Sequence, residues 1–275
     1  MGLIPATSHH FNSASMIQED GEVVFNEPVA QDIYLMRLRA PRIARDCRPA
    51  QFVQIRTAEG LFPYLRRPFS ALRVDRKDGW IDILYDVIGP GTLRMSVASE
   101  GDALDLIGPL GCPFDPSDTD RLLLIAGGVG LVPLAFLTWE APRKRSETIF
   151  LLGAATKIRM PDPARLLPPG IELHLATEDG SAGHHGLVTD LIPTFARDDK
   201  TLIFTCGPDA MMSRVATLAA ERGLPCFASL ENHMACGFGA CVGCVVKYRE
   251  AVRDDMRFRR ACLEGPVVDA HQIVW

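Results

Sequence analysis

Leu122-Leu-Leu-Ile-Ala126-Gly127-Gly128-Val129-Gly130 divides the chain into two kinds of sequence. Five apolar residues without a polar break suit a strand buried on both faces. The glycine-rich turn leads into an apolar helical stretch, and bare N–H groups at such a turn suit a dinucleotide phosphate. Downstream, Thr148-Ile-Phe-Leu-Leu152, Ile171-Glu-Leu-His-Leu175, Leu202-Ile-Phe-Thr205 and Cys226-Phe-Ala228 read as further strands. A helix over about Ala210–Arg222, stopped by Gly223, lies between the last two. Strands alternating with helices predict a parallel α/β sheet. A third fingerprint glycine would fall at Pro133, and no acidic residue ends the second strand, so an ordinary Rossmann dehydrogenase is not indicated. Thr177-Glu178-Asp179-Gly180 and Cys206-Gly207-Pro208-Asp209 close later strands and join Gly127, Gly128 and Gly130 as candidate nucleotide contacts. The alternative is that all three are plain βα turns.

Upstream the pattern is β. Asp32–Leu38, Gln51–Ile55, Ser70–Val74 and Trp80–Asp86 alternate apolar with polar residues or are rich in β-branched and aromatic ones. Turns such as Lys77-Asp-Gly79 and Glu100-Gly-Asp102 separate them, which predicts a small antiparallel barrel. The linker is expected at Asp115-Pro116-Ser-Asp-Thr119. The chain then divides into a loose leader (1–17), expected to be disordered, a β-barrel (18–115), an α/β domain (116–227) and a C-terminal segment (228–275).

With 47% hydrophobic and 23% charged residues, the 275-residue chain has enough apolar sequence for packed cores. A net charge of −5 without a basic run argues against nucleic acid as the main partner. The longest apolar stretch, Leu122–Leu137, falls short of the ~20 residues of a membrane span, and glycines and Pro133 interrupt it. The first fifteen residues carry no secretory pattern, and Ala6 spoils a myristoylation motif. A cytoplasmic protein with reduced cysteines is expected.

Of eight cysteines, four crowd the C-terminal end: Cys236-Gly-Phe-Gly-Ala-Cys241-Val-Gly-Cys244, and then Cys262. The C-x4-C-x2-C…C spacing is the plant-type [2Fe–2S] pattern. Four soft thiolates hold two irons, and the glycines let the loop wrap tightly. Zinc or a purely structural cluster is the alternative, although only one C-x2-C pair is present. Metal binding would also help so short a segment fold.

Arg66-Arg67-Pro68-Phe69-Ser70 offers a guanidinium to a pyrophosphate and a hydroxyl to a flavin ring. Tyr85-Asp86-Val-Ile-Gly89-Pro-Gly91-Thr92 places Gly-x-Gly-Thr before a helix-like Leu93-Arg-Met-Ser, a second phosphate signal. Each is weak alone; together they favour a flavin. His184-His185 reads as a solvated turn, Met211-Met212 as core, and Cys47, Cys112 and Cys226 as packing residues.

Taken in order, Arg-Pro-x-Ser, Gly-x-Gly-Thr, Ala-Gly-Gly-x-Gly, Cys-Gly-Pro and the cysteine cluster resemble the ferredoxin–NADP reductase superfamily. More closely, the sequence is similar to electron-transfer subunits of type B dihydroorotate dehydrogenase, over about Gly21–Trp275. Thr177-Glu-Asp-Gly-Ser181, Gly186-Leu-Val-Thr-Asp190, Ser229-Leu-Glu231, Met234-Ala-Cys-Gly-Phe-Gly-Ala-Cys241 and Cys262-Leu-Glu-Gly-Pro-Val267 carry that resemblance. It implies FAD, NAD as co-substrate and an FMN-containing dihydroorotate dehydrogenase catalytic subunit as partner, in a heterotetramer of two plus two. It implies flavin contacts at Arg67, Pro68, Phe69, Ser70, Leu84, Tyr85, Asp86, Gly91 and Thr92, and cluster ligands at Cys236, Cys241, Cys244 and Cys262. Cys206, Asp209 and Glu231 are expected near the nicotinamide, with no general base required. Phe69 stands where the superfamily commonly has Tyr, and Pro90 is an unusual residue within the Gly-x-Gly-Thr turn. The implied role is to pass electrons from dihydroorotate through cluster and flavin to NAD. Other readings are an NAD(P)H-dependent reductase subunit for a hydrogenase or ferredoxin-type acceptor, a non-enzymatic redox sensor and a zinc-stabilised binding protein. Met234, Ala235, Phe238, Ala240 and Val242 are expected to form an exposed docking patch around the cluster.

Overall fold

The computed structural model describes residues 16–114, 116, 119–140, 147–196, 200–250 and 255–275. Leader residues 1–15 and linker residues 115, 117 and 118 lie outside the described residues. The first seven strands are β1 (Ile17–Ala30), β2 (Ile33–Arg39), β3 (Phe52–Ile55), β4 (Arg67–Ser70), β5 (Arg73–Asp75), β6 (Trp80–Asp86) and β7 (Ala103–Leu110). Helix α1 (Pro41–Asp46) follows β2, and α2 (Pro90–Ser96) follows β6. The sheet order is β4-β3-β7-β1-β2-β6-β5, with every pairing antiparallel.

The sequence reading made Ser70–Val74 one strand; the structure breaks it at Ala71-Leu72. The break closes the barrel. The β4 side pairs with β3 at one edge, the β5 side with β6 at the other, and Leu72 N–H donates to the Asp82 carbonyl at 2.8 Å. One continuous piece of chain thus supplies both edge strands of the sheet. Inside lie Val23, Met36, Leu38, Val53, Ile55, Ile81, Ile83 and Leu106, all fully buried.

The second sheet holds β8 (Arg121–Gly127), β9 (Glu147–Ala154), β10 (Glu172–Thr177), β11 (His184–His185), β12 (Thr201–Cys206) and β13 (Cys226–Ser229). Its helices are α3 (Leu131–Glu140), α4 (Pro163–Leu166), α5 (Ile192–Phe195) and α6 (Asp209–Ala220). These strands are mutually parallel in the order β11-β10-β9-β8-β12-β13. The uninterrupted run at Leu122–Ala126 explains itself here. Leu123 and Ile125 face the core beneath α6, while Leu122, Leu124 and Ala126 face that beneath α3. Helix α3 is apolar from Leu131 to Leu137 because that stretch is buried all round. Leu131, Leu134 and Ala135 pack on the sheet, and Phe136 enters the barrel core.

The C-terminal segment adds β14 (Val245–Glu250), β15 (Asp255–Arg260), α7 (Ala261–Glu264) and β16 (Val267–Asp269). β14 and β15 form a hairpin, and β16 joins the parallel sheet antiparallel to β13. Among the described residues no helix is long and apolar enough to cross a membrane.

Candidate functional site: a chain of three sites

At the barrel mouth the structure brings Arg67 and Gly91 together. A Cβ on Gly91 would lie 3.1 Å from Arg67 Nε and 3.2 Å from Thr57 Oγ1. Thr57 is buried, and its hydroxyl has no hydrogen-bond partner. A guanidinium, a bare glycine and an orphaned hydroxyl at one spot fit a pyrophosphate. Thr92 is differently engaged: its Oγ1 accepts the N–H groups of Ile88 (3.0 Å) and Gly89 (3.3 Å), shaping the turn before α2. Pro68, Phe69 and Ser70 are half-buried on β4, with the Phe69 ring edge-on to Tyr85. Leu84 and Tyr85 are buried, so a ligand along β6 meets their main chain. The Tyr85 hydroxyl donates to Asn26 Oδ1 at 2.9 Å, and burial pushes the phenol pKa up. Asp86 pairs across the domain boundary with Arg159 at 2.5 Å, while its Oδ1 has no partner. Sequence reasoning missed Thr57, Asn26 and Arg159, which carry no local motif.

Gly127, Gly128 and Gly130 meet Cys206, Gly207 and Pro208 at the carboxyl ends of β8 and β12, whereas Thr177, Glu178 and Asp179 lie at the end of β10. The sheet order runs outward from β8 through β9 and β10 on one side and through β12 on the other, making β8/β12 the switch point where ligands bind in open α/β sheets. A Cβ on Gly130 would stand 2.4 Å from the Cys206 carbonyl oxygen, and one on Gly127 2.8 Å from Pro208 Cδ. Gly128 has φ +56°. The two turns therefore interlock, with Met211 beneath both. Met212 is core, as expected from the sequence. Thr177 is buried and spends its hydroxyl on Ala182, leaving Glu178 and Asp179 exposed at the loop. Ser181 donates to Asp179 at 2.6 Å and holds its carboxyl below the ordinary range. The Lys157 backbone N–H donates to Ser181 Oγ at 2.8 Å and ties this loop to the segment after β9. His184 and His185 are exposed, as the edge strand β11.

Cys206 Sγ lies 3.8 Å from Glu231 Oε1. Burial raises the Cys206 pKa well above the thiol range, and the Glu231 carboxylate adds to it. Glu231 keeps exposed surface, yet the protein around its carboxyl desolvates it enough to raise its pKa, with Asp209 adding to the rise.

None of the eight cysteines forms a disulfide. Cys47, Cys112 and Cys226 are buried, in keeping with packing roles. In the C-terminal loop, Cys241 N–H points at Cys236 Sγ, Gly243 N–H at Cys241 Sγ and Cys262 N–H at Cys244 Sγ, each at 3.4 Å. Such donors favour thiolates. At Cys236 burial raises the pKa, but the N–H groups of Cys241, Phe238 and Ala240 and the Cys241 side chain outweigh it and bring the thiol to about 7. Burial, followed by the Cys244 thiol, pushes Cys262 up to about 12. Among the described residues no three His, Cys, Asp or Glu side chains are drawn together as one metal ion would need. Cys236, Cys241 and Cys244 lie on the glycine-rich loop and Cys262 on α7, and four thiolates are the ligand set of a two-iron cluster. The loop sits on the barrel, where Phe52 and Leu110 pack with Met234, Cys244 and Cys262. The expected docking patch is corrected in part. Met234 is buried and Phe238 packs on its own chain, whereas Val242 remains exposed, joined by Val245, Met256 and Phe258 of the hairpin.

Comparison with known proteins follows this geometry. The iron–sulfur cluster binding domain of dihydroorotate dehydrogenase B matches residues 231–274. The chain is 37% identical over 258 residues to the dihydroorotate dehydrogenase B (NAD(+)) electron transfer subunit of Desulforamulus reducens, covering 93% of this chain and 98% of that one. It is 34% identical to the subunit of the same name from Fusobacterium nucleatum, covering 93% and 98%. Among solved structures, an NADH-dependent reduced ferredoxin-NADP oxidoreductase studied for flavin-based electron bifurcation superposes with a TM-score of 0.83 at 29% identity, covering 93% and 90%. By these relatives and by its interlocked glycine turns and cysteine loop, the chain belongs to the family of dihydroorotate dehydrogenase B electron transfer subunits.

Proposed function

We propose that this chain carries electrons between an FMN-containing dihydroorotate dehydrogenase catalytic subunit and NAD, in pyrimidine biosynthesis. The observation that carries the reading is the seating of the four-cysteine loop on β3, the strand hydrogen-bonded to the Arg67–Ser70 segment. A cluster held there and a flavin along β4 share one strand pair, which is the proximity electron transfer requires.

In this reading Cys236, Cys241, Cys244 and Cys262 hold a [2Fe–2S] cluster. Arg67, Thr57 and Gly91 hold the FAD pyrophosphate, while Pro68, Phe69 and Ser70 with the β6 main chain line the ring. FAD, when bound, links the two-electron hydride chemistry of a nicotinamide to one-electron transfer. Gly127, Gly128, Gly130, Gly207 and Pro208 shape the nucleotide turn, and Glu178 and Asp179 face its ribose. Cys206 and Glu231 border the nicotinamide. Burial raises the pKa of both, and neither is required as a base. The working assembly is two chains with two catalytic subunits, in the cytoplasm.

The likeness to a ferredoxin-NADP oxidoreductase favours a second reading, a reductase subunit serving a ferredoxin-type acceptor. One experiment separates them. The anaerobically purified chain should hold two irons per FAD and should support dihydroorotate-to-NAD turnover when mixed with the catalytic subunit. Zinc in place of iron refutes the cluster. NADH oxidation that reaches a ferredoxin but not the catalytic subunit selects the second reading.

A further inference from the structure

Gln54 is the most tightly buried amide near the cysteine loop. It belongs to Gln51-Phe-Val-Gln-Ile55, where alternation sends Val53 and Ile55 into the barrel core and leaves Phe52 and Gln54 on the other face. Phe52 packs against Cys244 and Cys262 there. Gln54 is 0% exposed, and neither its Nε2 nor its Oε1 has a hydrogen-bond partner. Leaving such a group unpaired forfeits the hydrogen bonds it makes to water in the unfolded chain. The nearby Gln51 shows the contrast: its Nε2 donates to the Gly111 carbonyl at 2.9 Å, and its Oε1 accepts the Arg48 N–H at 3.0 Å.

The surroundings of Gln54 name its missing partner. A Cβ on Gly237 would lie 2.6 Å from Gln54 Cγ and from Nε2, so the amide lies against the backbone that follows Cys236. Gly237, at φ +80°, makes room for it. On the β4 side, Gln54 is directly opposite Pro68 of the segment assigned to flavin. Thiolate and sulfide sulfurs accept hydrogen bonds and do not donate them, so only the N–H₂ end can serve a cluster.

Building on the cluster assignment above, we propose that Gln54 is a positioning residue whose side-chain N–H donates to a cluster sulfur at the Cys236 end of the loop. It adds a donor from the barrel to the three backbone donors within the cysteine segment. A hydrogen bond to cluster sulfur stabilises the more negative, reduced form and so raises the reduction potential. The strand that carries the flavin's neighbour thereby also sets the driving force between cluster and flavin.

The test uses the full chain with FAD and cluster, titrated anaerobically while electron paramagnetic resonance follows the cluster and absorbance follows the flavin. Gln54→Leu removes the donor, and Gln54→Met does so with an unbranched side chain should branching hinder cluster assembly. Both should keep the parent's ratio of iron to flavin and the parent's flavin potential, with a more negative cluster potential. An unchanged cluster potential at full iron content overturns the proposal. So does a shift confined to the flavin, which would put the amide on the ring instead. A parent chain without iron overturns the cluster assignment itself, a failure distinct from a cluster that ignores Gln54.

Discussion

A buried hydroxyl without a partner is a cost that a bound anion can offset, and Thr57 Oγ1 is such a group beside Arg67 and Gly91. Thr57→Val keeps the shape and removes the bond. A hydrogen bond to a charged partner is worth ~1.5–3 kcal/mol, so FAD retention should weaken by about tenfold or more. Flavin release on dilution measures this, and retention equal to the parent's would move the pyrophosphate elsewhere. At the other cofactor, Glu178 should disfavour a 2′-phosphate by like charge. Glu178→Gln should therefore narrow the preference for NADH over NADPH, read as the ratio of kcat/KM values with an artificial acceptor. An unchanged ratio would shift selection to Asp179. The four candidate cluster cysteines were legible because three of them share one loop and leave a fixed spacing in the sequence, with Cys262 following on α7. Thr57 and Gln54 were not, because each is one polar residue whose burial beside a candidate cofactor site is set only by folding.

Elements were legible where burial was two-sided or strictly alternating. The run at Leu122–Ala126 and the strand at Trp80–Asp86 announced themselves. The fourteen-residue β1 did not, because most of its residues are exposed or half-buried and only Gly21 and Val23 are buried. The turn at Ala71-Leu72 was hidden because the strands on either side share its apolar alternation. Asp82 fixes that corner. It is fully buried and pairs with Arg37 at 2.7 Å from β2 and Arg73 at 2.6 Å from β5. Asp82→Ala should destabilise the chain by about 3 kcal/mol, by stranding two guanidinium groups that remain partly hydrated. Urea unfolding of the holoprotein reads this, and a change below 1 kcal/mol would show the pairs to be dispensable. In the second sheet, Gly130→Ala sets a methyl against the Cys206 carbonyl, a backbone atom that cannot swing aside. NADH should then reduce the flavin poorly, with FAD and iron contents unchanged. Full reduction at the parent's rate would show that the two turns need not interlock.

At the scale of the whole molecule, the two domains hold each other. Phe136 of α3 fills the barrel core, Arg159 pairs with Asp86 and Asp32, and the Gln31 N–H donates to the Ile158 carbonyl at 2.9 Å. With these contacts fixed, the cluster loop has one covered side, against Phe52 and Leu110, and one open side. On the open side Val242, at φ +58°, is 56% exposed, and Met256 and Phe258 of the hairpin are 58% and 65% exposed. A β-branched residue held in the left-handed region is strained, and strain of this kind collects where a surface is used. Apolar side chains beside a one-electron centre, on a hairpin rich in arginine, suit a face that a catalytic subunit covers. Phe238→Glu would test this badly, because Phe238 packs within the chain's own cluster segment. Phe258→Glu is the cleaner probe, since its side chain touches solvent. Burying an unpaired carboxylate costs ~3–5 kcal/mol, so association with the catalytic subunit should weaken by about a hundredfold or more. Cluster absorption and NADH oxidation with an artificial acceptor should match the parent, while dihydroorotate-to-NAD turnover falls at limiting subunit and recovers at excess. A variant that assembles as tightly as the parent would place the docking face away from the hairpin.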